Sequence, residues 1–122
     1  MYKLLVKPYL FSLDPEKAHY KAMKWHRIVL AIPLLNLFYK RKKIHDNKSL
    51  QRKAFGIVFP NPVGMAAGFD KDAKFMHQLA EMGFGCVEVG TVTPIAQPGN
   101  DKPRLFRLKK DEALINRMGF NN

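Results

Sequence analysis

Lys71 stands between two acids, Asp70 and Asp72, just after the small-residue run Val63-Gly64-Met65-Ala66-Ala67-Gly68-Phe69. An ammonium at the mouth of such a run can hold an anion, and small neighbours let a flat ligand come close to the backbone. A second run, Phe84-Gly85-Cys86-Val87-Glu88-Val89-Gly90, ends in Thr91-Val92-Thr93-Pro94. Near the end of the chain, Asn116, Asn121 and Asn122 offer amides that suit a planar, carbonyl-rich ligand and would equally cap loops. The plainer reading of both runs is two core strands with ordinary turns. There is no phosphate loop, G-x-G-x-x-G, CxxC or nucleophile elbow, and no metal-ligand spacing. His19 and His26, seven apart, do not make a metal pair by themselves.

These residues need elements to position them. The first run reads as a buried parallel strand over residues 63–69. Ala73, Met76, Leu79, Ala80 and Met82 then recur at helical spacing, with Gly83 as the stop. The second run reads as a further buried strand over residues 84–90. This strand-helix-strand unit brings the Lys71 and Thr91 ends to one rim. Residues 55–59, Phe-Gly-Ile-Val-Phe, read as another strand, and residues 97–108 as a turn followed by a short strand.

The front of the chain is different. The whole chain has 122 residues with 21 Lys plus Arg against 10 Asp plus Glu, a net of +11. Residues 1–55 carry 13 basic and 3 acidic side chains, whereas residues 56–122 carry 8 and 7. The excess therefore sits in the front segment, and the boundary falls in the polar stretch from Asp46 to Lys53. One cysteine, Cys86, excludes an internal disulfide and fits a reducing compartment. The composition excludes disordered, collagenous and disulfide-scaffold proteins.

Lys3 and Lys7 interrupt any signal-peptide core, while Tyr2, Leu5, Val6 and Tyr9 keep helical spacing. Asp14-Pro15-Glu16 is a helix start: a capping side chain, proline in the first turn, then a carboxylate. The helix it predicts covers residues 15–30, with Ala18, Ala22, Trp25 and Val29 on one face and His19, Met23 and Leu30 beside it. Pro33 starts a second, shorter helix over residues 33–40, which runs into Lys40-Arg41-Lys42-Lys43. The apolar stretch from Ile28 to Tyr39 is too short to cross a bilayer, which needs about 20 residues. Three readings stay open: a helical hairpin packed on its own domain, an interfacial helix pair on an anionic membrane surface, or a nucleic-acid surface of the aromatic-plus-basic kind.

Three long stretches carry a resemblance: NPVGMAAGFDKDA (residues 61–73), MGFGCVEVGTVTPIAQPGNDKPRLFRL (82–108) and ALINRMGFNN (113–122). The chain resembles dihydroorotate dehydrogenase, and its basic helical front, with DPEKAH at 14–19, resembles the quinone-dependent, membrane-associated class. The resemblance implies an FMN-bearing (β/α)8 TIM barrel, only its first strands present, behind a two-helix extension. The implied division is residues 1–50 for the membrane and quinone-tunnel extension and 51–122 for the start of the barrel. Ala67, Gly68, Phe69, Asp70 and Lys71 match the flavin loop, and Thr91 matches a further flavin contact. Lys71, Asn116, Arg117, Met118, Gly119 and Phe120 match the substrate stretch. His19 and Arg107 match positions lining the quinone tunnel. The implied reaction oxidises dihydroorotate to orotate with FMN and then a membrane quinone, in de novo pyrimidine synthesis. Its base, a serine, is expected beyond Asn122, so the 122 residues alone are expected to be inactive. The implied location is the cytoplasmic face of the cell membrane, with no nucleic acid as partner. The alternative kept is a non-catalytic basic module binding membrane surface or nucleic acid.

Overall fold

The structure is a computed structural model that describes residues 2–41 and 47–122. The side chains of residues 38–41 lie outside that description, so the cationic run 40–43 and Asp46 of the expected boundary are not placed by it.

The chain opens with a wide helical turn, Tyr2–Val6, that continues as α1, Lys7–Ser12. Pro8 lies in the first turn of α1, where its missing N–H leaves the carbonyl of Leu4 without an i+4 donor. Leu13 is extended and ends α1. Asp14 then starts α2, Pro15–Ala31: its Oδ1 accepts from the N–H groups of Glu16 and Lys17 at 3.0 and 3.1 Å. The expected cap and start are present, and the helix runs one residue past the expected end. Pro33 interrupts it, and α3, Pro33–Arg41, follows. Asn36, the polar residue in the apolar stretch, closes the joint by donating from Nδ2 to the Leu30 carbonyl at 2.9 Å.

A single turn, Lys48–Leu50, leads to a hairpin of β1, Arg52–Ala54, and β2, Ile57–Phe59. The expected strand over 55–59 is corrected here. Phe55 and Gly56 form the turn, with φ of 52° and 77°. Two consecutive left-handed residues match the twist of a two-residue hairpin.

β3, Gly64–Met65, pairs in parallel with β4, Cys86–Val87, across α4, Met76–Met82. The strand-helix-strand unit is therefore present, but its strands are much shorter than expected, and the run is not buried: Val63 is 60% exposed. Each of the two strands has one ladder partner among the described residues, so neither has the second neighbour that would extend and cover it. Helix α4 begins at Met76, because residues 70–75 form a separate turn. Gly83 ends it as expected, its N–H donating to Ala80 O at 3.0 Å.

The last pair is β5, Leu105–Leu108, antiparallel to β6, Ala113–Asn116. The sequence reading supplied the first strand but not its partner.

Contacts divide the chain into two compact units. One comprises Met1–Trp25 with Val92–Asn122, and the other comprises His26–Thr91. Ala18 and Met23 are buried in the first, Leu30 and Leu79 in the second. Trp25, expected on the apolar face of α2, is 37% exposed and stacks on Tyr9 with ring centres 5.3 Å apart. Among the described residues no helix is long and apolar enough to cross a membrane.

Candidate functional site

In the unit His26–Thr91, the β3·β4 register sets Gly64 opposite Cys86 and Met65 opposite Val87. Backbone bonds continue it at both ends: Gly85 N–H to Val63 O at 2.8 Å, and Glu88 N–H to Met65 O at 2.9 Å. Parallel strands leave in the same direction, so residues 67–71 and 88–91 emerge at one rim. Gly90 meets Lys71 there. A Cβ at position 90 would lie 3.0 Å from both Cα and Cβ of Lys71, so glycine lets the stem of the lysine sit close against the second strand's exit. Gly68 has φ of 98° and nothing within 4 Å of the place a Cβ would take. It turns the chain in a way side-chain residues rarely adopt and leaves the loop open on that side. Ala66, Ala67 and Thr91 are exposed as well.

The two acids beside Lys71 have their own tasks. Asp70 is 3% exposed. Its Oδ1 accepts from Lys74 N–H and its Oδ2 from Phe75 N–H, each at 2.8 Å. Asp72 pairs with the Lys74 ammonium. Asp70 thus turns inward to hold the 70–75 loop, and Asp72 pairs with Lys74. Asp70 positions Lys71 through the backbone they share.

Asn116, Arg117, Met118, Gly119 and Phe120 lie in the other unit, at the end of β6. Asn116 pairs with Leu105 in the ladder, and its Oδ1 is 3.5 Å from the Met118 N–H. Arg117 donates from Nε and Nη2 to the Pro103 carbonyl at 3.2 and 3.1 Å and lies over the Phe106 ring at 5.9 Å. Asn100 clasps the segment twice, N–H to Met118 O at 2.9 Å and Nδ2 to Arg117 O at 2.7 Å. Asn122 exchanges both backbone bonds with Gln97, at 3.0 and 3.1 Å. Phe120 is 87% exposed.

The sequence reading missed the residue that ties this region together. Arg104 is buried and forks onto Glu16, Nη2 to Oε1 at 2.8 Å and Nε to Oε2 at 3.2 Å. Its remaining nitrogen, Nη1, donates to Pro98 O at 2.6 Å and Asn100 O at 3.1 Å. Lys102 adds a second cation 3.3 Å from Glu16 Oε1. The Arg104 hydrogen bond holds the Glu16 carboxyl below its ordinary range against the opposing effect of burial, and the same bond pushes Arg104 up. Glu16 reads locally as a helix-start carboxylate. Arg104 reads locally as one more cation of a polar turn, so the sequence carries no signal that the two meet.

Arg107 donates from Nη1 to Leu13 O at 2.7 Å and from Nη2 to Leu10 O at 3.2 Å, and its guanidinium lies over Phe11 at 4.7 Å. It thus closes the open carbonyl end of α1. His19 packs edge-on against Tyr20 with ring centres 5.3 Å apart. Among the described residues no group of three or more His, Cys, Asp or Glu could hold a metal ion.

The first rim combines small exposed residues, an open side at Gly68, and the stem of Lys71 close against Gly90, which leaves room for a flat ligand to approach the backbone. The family model described as dihydroorotate dehydrogenase matches residues 49–122. A dihydroorotate dehydrogenase (quinone) from Christiangramia forsetii is 56% identical over 122 residues, covering 100% of this chain and 36% of that protein. One from Idiomarina loihiensis is 56% identical, covering 97% of this chain and 34% of that protein. The chain thus spans about a third of the length of the curated relatives it matches. The crystal structure of DHODH from Eimeria tenella in complex with ferulenol aligns with a TM-score of 0.63 and 47% identity, over 88% of this chain and 27% of that one. The ligand-free Eimeria tenella structure aligns with the same TM-score. The fold is thus the one that the corresponding part of these structures has, and the chain belongs to the dihydroorotate dehydrogenase family.

Proposed function

We propose that this chain supplies the front third of a quinone-dependent dihydroorotate dehydrogenase, which oxidises dihydroorotate to orotate in pyrimidine synthesis. Residues 1–50 form the extension and 51–122 begin a (β/α)8 barrel, with the parallel β3·β4 pair as its first two strands. Ala67, Gly68, Phe69, Lys71 and Thr91 would hold FMN, and Asp70 holds the loop that carries them. FMN would supply the hydride acceptor for the oxidation of dihydroorotate. The ammonium of Lys71 attracts the substrate carboxylate and favours negative charge near the cofactor. Asn116, Arg117, Met118, Gly119 and Phe120 form the substrate stretch, where the Asn116 amide complements the amide edge of the ring. The chain's two serines cap their own turns: Ser12 Oγ donates to Tyr9 O, and Ser49 Oγ donates to Asn47 Oδ1, both at 2.7 Å. Neither takes the part of the proton-abstracting base.

The quinone enters near His19 and Arg107. The exposed Leu4 and Leu5, with the basic front segment, support docking on an anionic membrane surface; the proposed location is the cytoplasmic face. No nucleic acid takes part.

The observation that carries this reading is the close approach of Gly90 to the stem of Lys71, which sets that residue at the shared exit of two parallel strands. The test uses the full-length protein that contains this chain. It should show a flavin absorbance band and convert dihydroorotate to orotate with a quinone as acceptor. Lys71→Ala should lower turnover by about a hundredfold or more, the scale of losing one fixed charge beside the reacting atoms. A colourless protein that makes no orotate would end the proposal, and a near-normal rate in the variant would remove the lysine's role.

A further inference from the structure

The residues that hold 116–120 in place form one continuous chain of bonds that starts at the first turn of α2. Glu16 accepts both arms of Arg104. Arg104 Nη1 fixes the carbonyls of Pro98 and Asn100. Asn100, so fixed, bonds the Met118 carbonyl through its N–H and the Arg117 carbonyl through its side chain. Arg117 N–H returns to the Arg104 carbonyl at 2.9 Å, closing the ring. Every member lies in the unit Met1–Trp25 with Val92–Asn122.

We propose that Glu16 and Arg104 are positioning residues for the substrate stretch: the buried fork between them sets the 98–100 turn, and that turn sets the backbone of residues 117–118 beside Asn116. The inference rests on the reading above that residues 116–120 hold the substrate, and it adds that a carboxylate in the extension governs how well they do so. Neither Glu16 nor Arg104 need touch the substrate. A fork of two charge-assisted bonds fixes angle as well as distance. A loosened anchor therefore lets Asn116 wander from its productive orientation, which weakens substrate binding with no change in chemistry.

The test compares four variants in the flavin-loaded, full-length protein. Glu16→Gln keeps the shape and removes the charge. It should raise the orotate Kd by titration calorimetry and the dihydroorotate KM together, by about tenfold, the scale of one or two lost hydrogen bonds. The KM for quinone and the flavin content should not move. Arg104→Lys keeps the charge but not the fork and should show a similar rise, since one ammonium cannot reproduce the planar pair of donors. Asn100→Ala, at an exposed position, tests the middle of the relay without touching the buried pair. It should raise the same two constants, and it decides the matter should Glu16→Gln prove insoluble. A lower melting temperature with orotate Kd unchanged in Glu16→Gln or Asn100→Ala overturns the proposal, because the network would then serve stability alone. Asn116→Ala separates the two layers. If it weakens orotate binding while Asn100→Ala does not, the positioning role fails and the substrate stretch stands. If Asn116→Ala leaves orotate binding unchanged, the substrate stretch itself fails and takes the positioning role with it.

Discussion

The loop at 67–75 and the segment at 116–120 are the two stretches proposed to face a ligand, and they are held by opposite means. Asp70 holds its loop locally, bonding amides four and five residues further on. The 116–120 segment is held from afar, by an arginine whose carboxylate partner is 88 residues earlier in the chain. A local clasp can form as soon as its own few residues are in place. A remote one forms only after α2 and the β5·β6 hairpin have folded, so its order depends on the whole unit. The difference teaches that one loop keeps its shape through its own residues and the other through the fold of its unit.

The contrast can be broken most forcefully at Arg104. Arg104→Ala should destabilise the full-length protein by about 3–5 kcal/mol, since it leaves a buried carboxylate with an incomplete set of partners; denaturant titration measures this. Hydrogen exchange should quicken at both the start of α2 and residues 98–118, because the bond links them. Asp70→Ala should cost less, about 2–3 kcal/mol for two backbone N–H groups left without a buried acceptor. Its faster exchange should stay within residues 70–79. Spread of that effect to the β5·β6 hairpin would erase the distinction between the two clasps. Gly90→Ala should come next, at about 1–3 kcal/mol from overpacking against the Lys71 backbone, with a fall both in flavin content and in orotate affinity, because the shift displaces Lys71.

Acid offers the mildest probe, and it separates the units. Glu16 is held below its ordinary value of 4.5, first by the Arg104 hydrogen bond, so its folded form binds the proton less readily than its unfolded form. Its contribution is therefore present above that value and fades as pH falls through it and below. His26, in the other unit, is held below its ordinary 6.5 by burial, partly offset by Glu81. Burial favours the neutral ring, so the unfolded chain takes up the proton first, and stability falls as pH drops through 6.5 and lower. Between pH 7 and 5 the protection of amides around His26, corrected for the slower intrinsic exchange at lower pH, should fall while that of residues 98–118 holds. Loss in the reverse order would contradict both assignments.

What was legible in the sequence follows the same division between near and far. Asp14-Pro15-Glu16 announced α2 because a cap and a first-turn proline act within four residues. Gly83 announced the end of α4 for the same reason. The strand-helix-strand unit was legible from small apolar runs around a helical repeat. The β1·β2 hairpin was not, because its turn places Phe55, a bulky residue, in the left-handed region where Asn, Asp or Gly is the usual sign. The lengths of β3 and β4 were overread, since a run of small residues says that backbones can approach but not how many neighbours arrive. Of the site, Lys71 stood out through its setting. Glu16 and Arg104 did not, as each has an ordinary local reading and their meeting is visible only once both elements are in place.

Arg107 reaches from β5 to the last carbonyls of α1 and stacks on Phe11 on the way. One guanidinium thereby makes the first helix and the β5·β6 hairpin a single lever: a tug at either arm is felt at the other. Any surface that grips the opening residues also steadies the strand whose partner ends at Asn116, so anchorage at one extremity becomes stiffness at the other.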